Sequence, residues 1–195
     1  EQVGEVAITS EADVEQALTA ANSSFATWSS TTTDERAARL RAGADAIKAR
    51  MAELTPLFVR ENGKPLRGAQ RDLLRSIELM DVVAQTLPQW WRPELFDSGQ
   101  PVWARRRPRG VTAGISPWNS PVLLSFRRMI PAIGAGNRVV VKPATQCPLT
   151  VIECVRALSQ HLPAGVLNVV VGPGGSGGEK LGGGEARTGG AVAER

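Results

Sequence analysis

Three short runs rich in valine, at 111–116, 138–141 and 166–171, are separated by two stretches with helical spacing, at 122–135 and 149–162. Neighbouring parallel strands cannot be joined by a tight turn; they need a crossover of a dozen or more residues, usually a helix. Strand, helix, strand, helix, strand therefore admits few arrangements. It reads as half of a doubly wound sheet, with parallel strands and crossover helices.

The first hundred residues carry a different pattern. Ser10 with Asp13 forms a capping-box signature that opens a helix through Val14, Leu18 and Ala21. Thr32 with Glu35 opens a second, with Ala38, Leu40, Ala44, Ile47 and Met51 on or near one face and arginines and a lysine on a solvated face. The segment Glu61-Asn62-Gly63-Lys64-Pro65 is a break. A third helix is expected from about 66 to 87, with Leu73, Ile77, Met80 and Val83 spaced by three and four. Trp90, Trp91 and Phe96 among Pro88, Pro93 and Pro101 mark a connection, and 102–107 reads as a short strand of a hairpin. The predicted class is α/β: N-terminal helices (1–100), a connecting strand (101–110) and a partial Rossmann-like parallel sheet (111–181). The tail 182–195 holds five glycines and a single large aliphatic residue, Val192, and is expected to be disordered.

Composition removes several classes of function. Two cysteines are too few for a disulfide framework. No leader and no membrane-length apolar run is read, so a cytoplasmic protein without a membrane partner is expected. The net charge of +4 concentrates in Arg105, Arg106, Arg107 and Arg109. No aromatic alternates with these arginines, so they read as the solvent face of a surface strand and not as a nucleic-acid patch. Cys147 precedes Pro148 near a predicted helix start, where a thiol can be acidified. Cys154 lies inside that helix and reads as a small buried hydrophobe. His161, the one histidine, reads as structural at a helix end, and no metal site is expected.

Open α/β sheets bind ligands beyond the carboxyl ends of their strands. Three turns fall there: Pro117-Trp118-Asn119, Lys142-Pro143-Ala144-Thr145 and Gly172-Pro173-Gly174. The Asn119 amide suits either of two tasks, capping the helix that begins at Pro121 or donating to a developing oxyanion. Lys142, ending a strand of valines, suits ribose hydroxyls or a phosphate, or a snorkelling surface position. Gly172-Pro173-Gly174-Gly175-Ser176-Gly177 matches a glycine-rich phosphate pattern. Pro173 has no N–H to offer, so a turn that lets the adenosine end of a cofactor approach the backbone is the better reading.

The motifs Gly114-Ile115-Ser116-Pro117-Trp118-Asn119, Pro131-Ala132-Ile133-Gly134-Ala135-Gly136-Asn137 and Val140-Val141-Lys142-Pro143, at this mutual spacing, resemble the aldehyde dehydrogenase superfamily. Weaker echoes occur at 61–66 and 162–170, and the resemblance covers about 4–181. It implies oxidation of an aldehyde to a carboxylic acid with NAD or NADP. In that chemistry a cysteine thiolate attacks the aldehyde, hydride passes to the nicotinamide, and a glutamate-activated water releases the acid. The resemblance implies that Asn119 helps hold the oxyanion and that Ile115, Ser116, Pro117 and Trp118 line the cofactor cleft. It also implies that Lys142 contacts the adenosine ribose and that Gly172 and Gly174 lie near the adenine. Thr145 stands where many NAD-preferring members carry a glutamate, which tilts the expectation toward NADP. Members are homo-oligomers. The cysteine and glutamate motifs are not found in 1–195, so the chain is expected to stop before the catalytic domain and to be inactive alone. The alternative is a non-catalytic remnant that binds a nucleotide or a partner chain.

Overall fold

The computed structural model describes residues 2–97 and 101–173, so the expected disordered tail lies outside the described residues. The chain begins with α1 (Glu11–Ser23), α2 (Phe25–Ser29), α3 (Thr33–Ala49), α4 (Met51–Asn62) and α5 (Leu66–Trp90). A hairpin follows, β1 (Glu94–Asp97) with β2 (Pro101–Ala104). Then come β3 (Val111–Ile115), α6 (Pro121–Gly134), β4 (Arg138–Lys142), α7 (Leu149–Ser159) and β5 (Leu167–Val169).

Both capping boxes form. The Asp13 amide donates to Ser10 Oγ at 3.2 Å and the Glu35 amide to Thr32 Oγ1 at 3.1 Å, each with the reciprocal carboxylate contact. The second predicted helix is two helices, broken at Arg50. The guanidinium of Arg50 pairs with Glu53 at 2.6 Å and with Glu153 of α7 at 2.8 Å, which ties the joint to the layer beneath. The third helix outruns its predicted end, passing through Pro88 to Trp90. Pro88 cannot donate to the Ala84 carbonyl four residues earlier. Arg41 donates to that carbonyl instead, at 3.4 Å, and the helix continues.

The face assigned to solvent in α3 holds one exception, Arg36, which is 1% exposed. Its Nε donates to the Gly134 carbonyl at 2.7 Å, a second nitrogen reaches the Thr31 carbonyl, and the guanidinium lies over the Trp91 ring. Burial lowers its pKa below the usual arginine value.

The sheet order is β3-β4-β5, parallel throughout, with Val111 opposite Arg138 and Val139 opposite Leu167. Both crossovers step the same way, so the right-handed rule puts α6 and α7 on one face. Val139 and Val141 pack toward that face, in the core that also contains α3, α4 and α5. Val140 points the other way, into a smaller cluster with Val14, Ala21 and Val170 under α1. All five residues of β4 are buried. Arg138, at the start of β4, fastens α1: its Nε donates to the Ala21 carbonyl at 2.8 Å and its guanidinium stacks 3.9 Å from the Phe25 ring.

Gly165, in the turn before β5, sits at φ 83° with the α1 backbone directly against it; an added Cβ would lie 2.4 Å from the Ala20 carbonyl oxygen. Gly165→Ala therefore combines left-handed strain with a backbone collision. It should lower unfolding free energy by about 1–3 kcal/mol, read from urea denaturation. A loss under about 0.5 kcal/mol, the range of ordinary surface changes, would show that α1 can move away freely.

Candidate active site

The parallel registers bring the carboxyl ends of β3, β4 and β5 to one edge of the sheet. The ladder runs on past the strands: the Ser116 amide donates to the Lys142 carbonyl at 3.0 Å, and the Val170 amide to the Val141 carbonyl at 3.0 Å. The three turns picked out in the sequence therefore start side by side. Thr145 Oγ1 donates to the Gly172 carbonyl at 2.7 Å and joins the second turn to the third. The third turn is held from its other side by Thr9, whose amide donates to the Val171 carbonyl at 2.8 Å while its hydroxyl accepts from the Val171 amide at 2.7 Å. Gly174 lies outside the described residues.

Within the first turn, Ser116 is buried and accepts from the Ser125 hydroxyl at 2.9 Å, which pins the turn to α6. Ile115 and Trp118 are 46% and 60% exposed, large apolar side chains presented outward, with Pro117 and Asn119 exposed beside them. The capping alternative for Asn119 does not hold. The cap position belongs to Ser120, and no side chain caps the helix there. The Asn119 amide makes no hydrogen bond with a described residue. Lys142 is 5% exposed, so it is not a snorkelling surface lysine. It has no ion-pair partner among the described residues, and burial pulls its ammonium below the usual lysine range.

The break at 61–65 is the part of the site that periodicity did not reveal. Glu61 accepts from the Leu149 and Thr150 amides and the Thr150 hydroxyl, capping α7 with a full charge. Such a carboxylate complements the positive end of the helix dipole. Asn62 Nδ2 donates to the Trp118 carbonyl at 2.9 Å. Lys64 Nζ pairs with Asp72 of α5 at 3.0 Å and donates to Ser120 Oγ at 3.3 Å. Gly63, left-handed at φ 75°, lets the chain reverse between these contacts. Three polar side chains within four residues thus hold the first turn and the start of α7. The available signal was three polar side chains grouped around a glycine, which local spacing alone cannot connect to residues 56 to 89 positions away. Glu61, Asn62, Trp118, Gln146 and Cys147 line a cleft of about 220 Å³.

A dinucleotide needs apolar surface for its rings and a cation or donors for ribose and phosphate oxygens. The residues present fit that need. Ile115 and Trp118 supply exposed apolar surface, and Lys142 supplies a buried cation that no carboxylate among the described residues neutralises. At Gly172 an added Cβ would meet only Ile8, at 3.5 Å, so packing inside the chain does not itself demand a glycine there.

The acidified-thiol expectation for Cys147 is corrected. Desolvation pushes its pKa up; its Sγ donates to the Trp118 carbonyl at 3.7 Å. The helix terminus that would have stabilised a thiolate is already occupied by the Glu61 carboxylate, a like charge. Cys154 is 0% exposed and its pKa is pushed up to about 12 by burial. Neither thiol is ionised at neutral pH. The folded chain should resist a thiol-disulfide reagent at pH 8 and yield two thiols in urea; rapid native labelling of Cys147 would contradict this. Because the Cys154 pKa is raised by folding, its proton has no effect on stability below the unfolded thiol value of about 8.5. Between there and about 12 the unfolded state gives up a proton that the folded state keeps, so stability falls with pH. Cys154→Ala should flatten that part of the stability–pH curve.

With this geometry in hand, the comparisons with known proteins agree on one family. The model for the aldehyde dehydrogenase family matches residues 1–186. The fluoroacetaldehyde dehydrogenase of Streptantibioticus cattleyicolor is 36% identical over 183 residues, covering 93% of this chain and 36% of the relative. The alpha-ketoglutaric semialdehyde dehydrogenase of Bacillus subtilis is 35% identical over 185 residues, covering 88% of this chain and 36% of the relative. The crystal structure of an NADP-dependent Escherichia coli enzyme superposes with a TM-score of 0.88 at 30% identity, over 93% of this chain and 38% of that one. Glyceraldehyde-3-phosphate dehydrogenase GapN from Methanocaldococcus jannaschii, complexed with NADP, gives 0.86 at 27% identity, over 92% of this chain and 41% of that one. The chain spans little more than a third of the length of these relatives. No helix among the described residues is long and apolar enough to cross a membrane. A sheet whose carboxyl edge presents an outward indole, an amide without a partner among the described residues and a buried lysine, in a sequence matched along nearly its whole length, belongs to the aldehyde dehydrogenase family.

Proposed function

We propose that this chain is the cofactor-side part of an NAD(P)-dependent dehydrogenase that oxidises an aldehyde to a carboxylic acid. The observation that carries the reading is the presence, on one sheet edge, of the buried Lys142 and of the Asn119 amide, neither with a partner among the described residues. Lys142 holds ribose hydroxyls or a ribose phosphate, Ile115, Pro117 and Trp118 form an apolar wall, and Ser116 fixes the turn through Ser125. Gly172 borders the adenine. When bound, the nicotinamide accepts the hydride removed from the aldehyde carbon. Asn119 donates a hydrogen bond to the oxygen that gains charge as the carbonyl is attacked. Because that amide has no partner among the described residues, it needs no reorganisation to do so.

The nucleophile is not supplied by either thiol of this chain, since burial keeps both protonated. The 195-residue chain by itself is therefore expected to show no aldehyde-dependent rise in reduced-nicotinamide absorbance. Turnover that vanishes with Cys147→Ser or Cys154→Ser would overturn this assignment. Leu95 and Trp103, cross-strand partners on one face of the hairpin, are each more than half exposed, an apolar patch suited to burial in a homo-oligomer.

Two outcomes test the site in a protein extended to the length of its relatives. Asn119→Ala should lower kcat by about 10²–10³-fold, the usual effect of one oxyanion donor, with cofactor affinity little changed. Normal turnover under conditions where chemistry limits the rate would remove Asn119 from catalysis. Thr145 places no carboxylate beside Lys142, and its hydroxyl proton is committed to the Gly172 carbonyl. NADP should therefore serve at least as well as NAD, and Thr145→Glu should turn the kcat/KM ratio toward NAD by repelling a 2′-phosphate. A strong NAD preference unchanged by that substitution would contradict the reading.

A further inference from the structure

Asn119 lies on an exposed bend that the local backbone does not hold. Among the described residues, neither Trp118 nor Asn119 makes a backbone–backbone hydrogen bond. The sheet ladder ends at the Ser116 amide, and helical bonding resumes only where the Ser120 carbonyl accepts from the Leu124 amide at 2.9 Å. An oxyanion donor acts through preorganisation, whereas a side chain on an unbonded, exposed bend samples many orientations. What fixes this bend comes from the break at 61–65. Asn62 Nδ2 donates to the Trp118 carbonyl at 2.9 Å, and Lys64 Nζ donates to Ser120 Oγ at 3.3 Å. A peptide unit is planar, so a held Trp118 carbonyl also holds the Asn119 nitrogen. Asn119 is therefore bracketed, with the peptide before it fixed by Asn62 and the side chain after it fixed by Lys64.

Lys64 is itself fixed before it reaches the bend. Its ammonium pairs with Asp72 of α5 at 3.0 Å and lies 5.3 Å from the centroid of the Phe58 ring of α4. Asp72 is 6% exposed and Phe58 is fully buried. Replacing a buried ion pair by apolar residues of similar volume is often neutral or stabilising, so stability alone does not account for two charges at this place. Left-handed Gly63 turns the chain so that Asn62, ending α4, and Lys64 both reach the one bend. We infer that Asn62 and Lys64 are positioning residues: with Asp72 and Phe58 behind the ammonium, they hold Asn119 in the orientation in which its amide meets the developing oxyanion. This assignment rests on the proposed oxyanion role of Asn119, whereas the hold on the bend follows from the contacts alone.

Kinetics of the protein extended to the length of its relatives supply the first test. Asn62→Ala and Lys64→Met should each lower kcat by about 10–100-fold, because misplacing a reacting group by about 1 Å can cost about 10²-fold. KM for NAD(P) should change little. Both residues act through Asn119, so combining either substitution with Asn119→Ala should lower kcat no further than Asn119→Ala does. Lys64→Met strands the buried Asp72 carboxylate and should lower Tm. Adding Asp72→Leu removes that charge and should restore Tm while kcat stays low. Return of kcat together with Tm would make the ion pair structural only and overturn the inference, as would losses that multiply with that of Asn119→Ala. Normal turnover in Asn119→Ala removes the oxyanion role and this inference together. A loss there, beside unaltered turnover in Asn62→Ala and Lys64→Met, removes this inference alone. A second measurement needs no turnover. In the 195-residue chain, nitrogen-15 relaxation at the Trp118 and Asn119 amides should report order close to that of α6, and Asn62→Ala should lower it there and leave α6 unchanged. Order that is low from the start, or unaltered by the substitution, overturns the inference.

Discussion

Strand β4 is hydrogen-bonded on both edges and buried along its whole length, and each layer of the protein is placed against it. Its valines alternate between two clusters, Val139 and Val141 toward the helical core and Val140 toward α1. A five-residue strand buried on both faces has no tolerance for a register slip, since a shift by one residue would exchange the two clusters. That constraint delivers Lys142 to the end of β4 directly opposite Ile115 at the end of β3. The functional edge is thus a consequence of how the core is packed.

Burial has the opposite effect on the two kinds of reactive group near that edge. Lys142 keeps a cation close to the ligand side, with its pKa lowered and no carboxylate among the described residues to quench it. Cys147 and Cys154 are held as thiols by the same desolvation. At Cys147 the competition between helix terminus and burial is settled by Glu61, which takes the free amides of α7 for itself. The segment 61–65 therefore acts at three points at once: it caps α7, braces the Trp118 carbonyl, and couples α5 to Ser120. The Asn62 and Lys64 contacts brace the turn that carries Asn119, a proposed site residue.

Much of the architecture was legible in local patterns. The two capping boxes, the crossover helices and the strand starts follow from spacing and from side chains acting on their own neighbours. The errors share a different cause. The helix expected to run from Thr32 to the break is interrupted at Arg50, whose ion pairs reach across to Glu153. The helix expected to stop near Leu87 continues through Pro88 because Arg41 supplies the missing donor from another helix. Arg36 was assigned to solvent by charge, yet carbonyls from Gly134 and Thr31 and the face of Trp91 give it an interior partner set.

The sequence by itself determined the order of elements, the parallel sense of the sheet and the three turns where a ligand would meet it. These depend on periodicity and on turn chemistry, which act over a few residues. The tertiary structure alone decided the states of the side chains in those turns: that Asn119 has no partner and Lys142 is enclosed without a counter-charge among the described residues, and that Cys147 stays protonated. Hydrogen-bond satisfaction and desolvation are set by whatever the fold brings alongside a group, and here the neighbours come from segments tens of residues away.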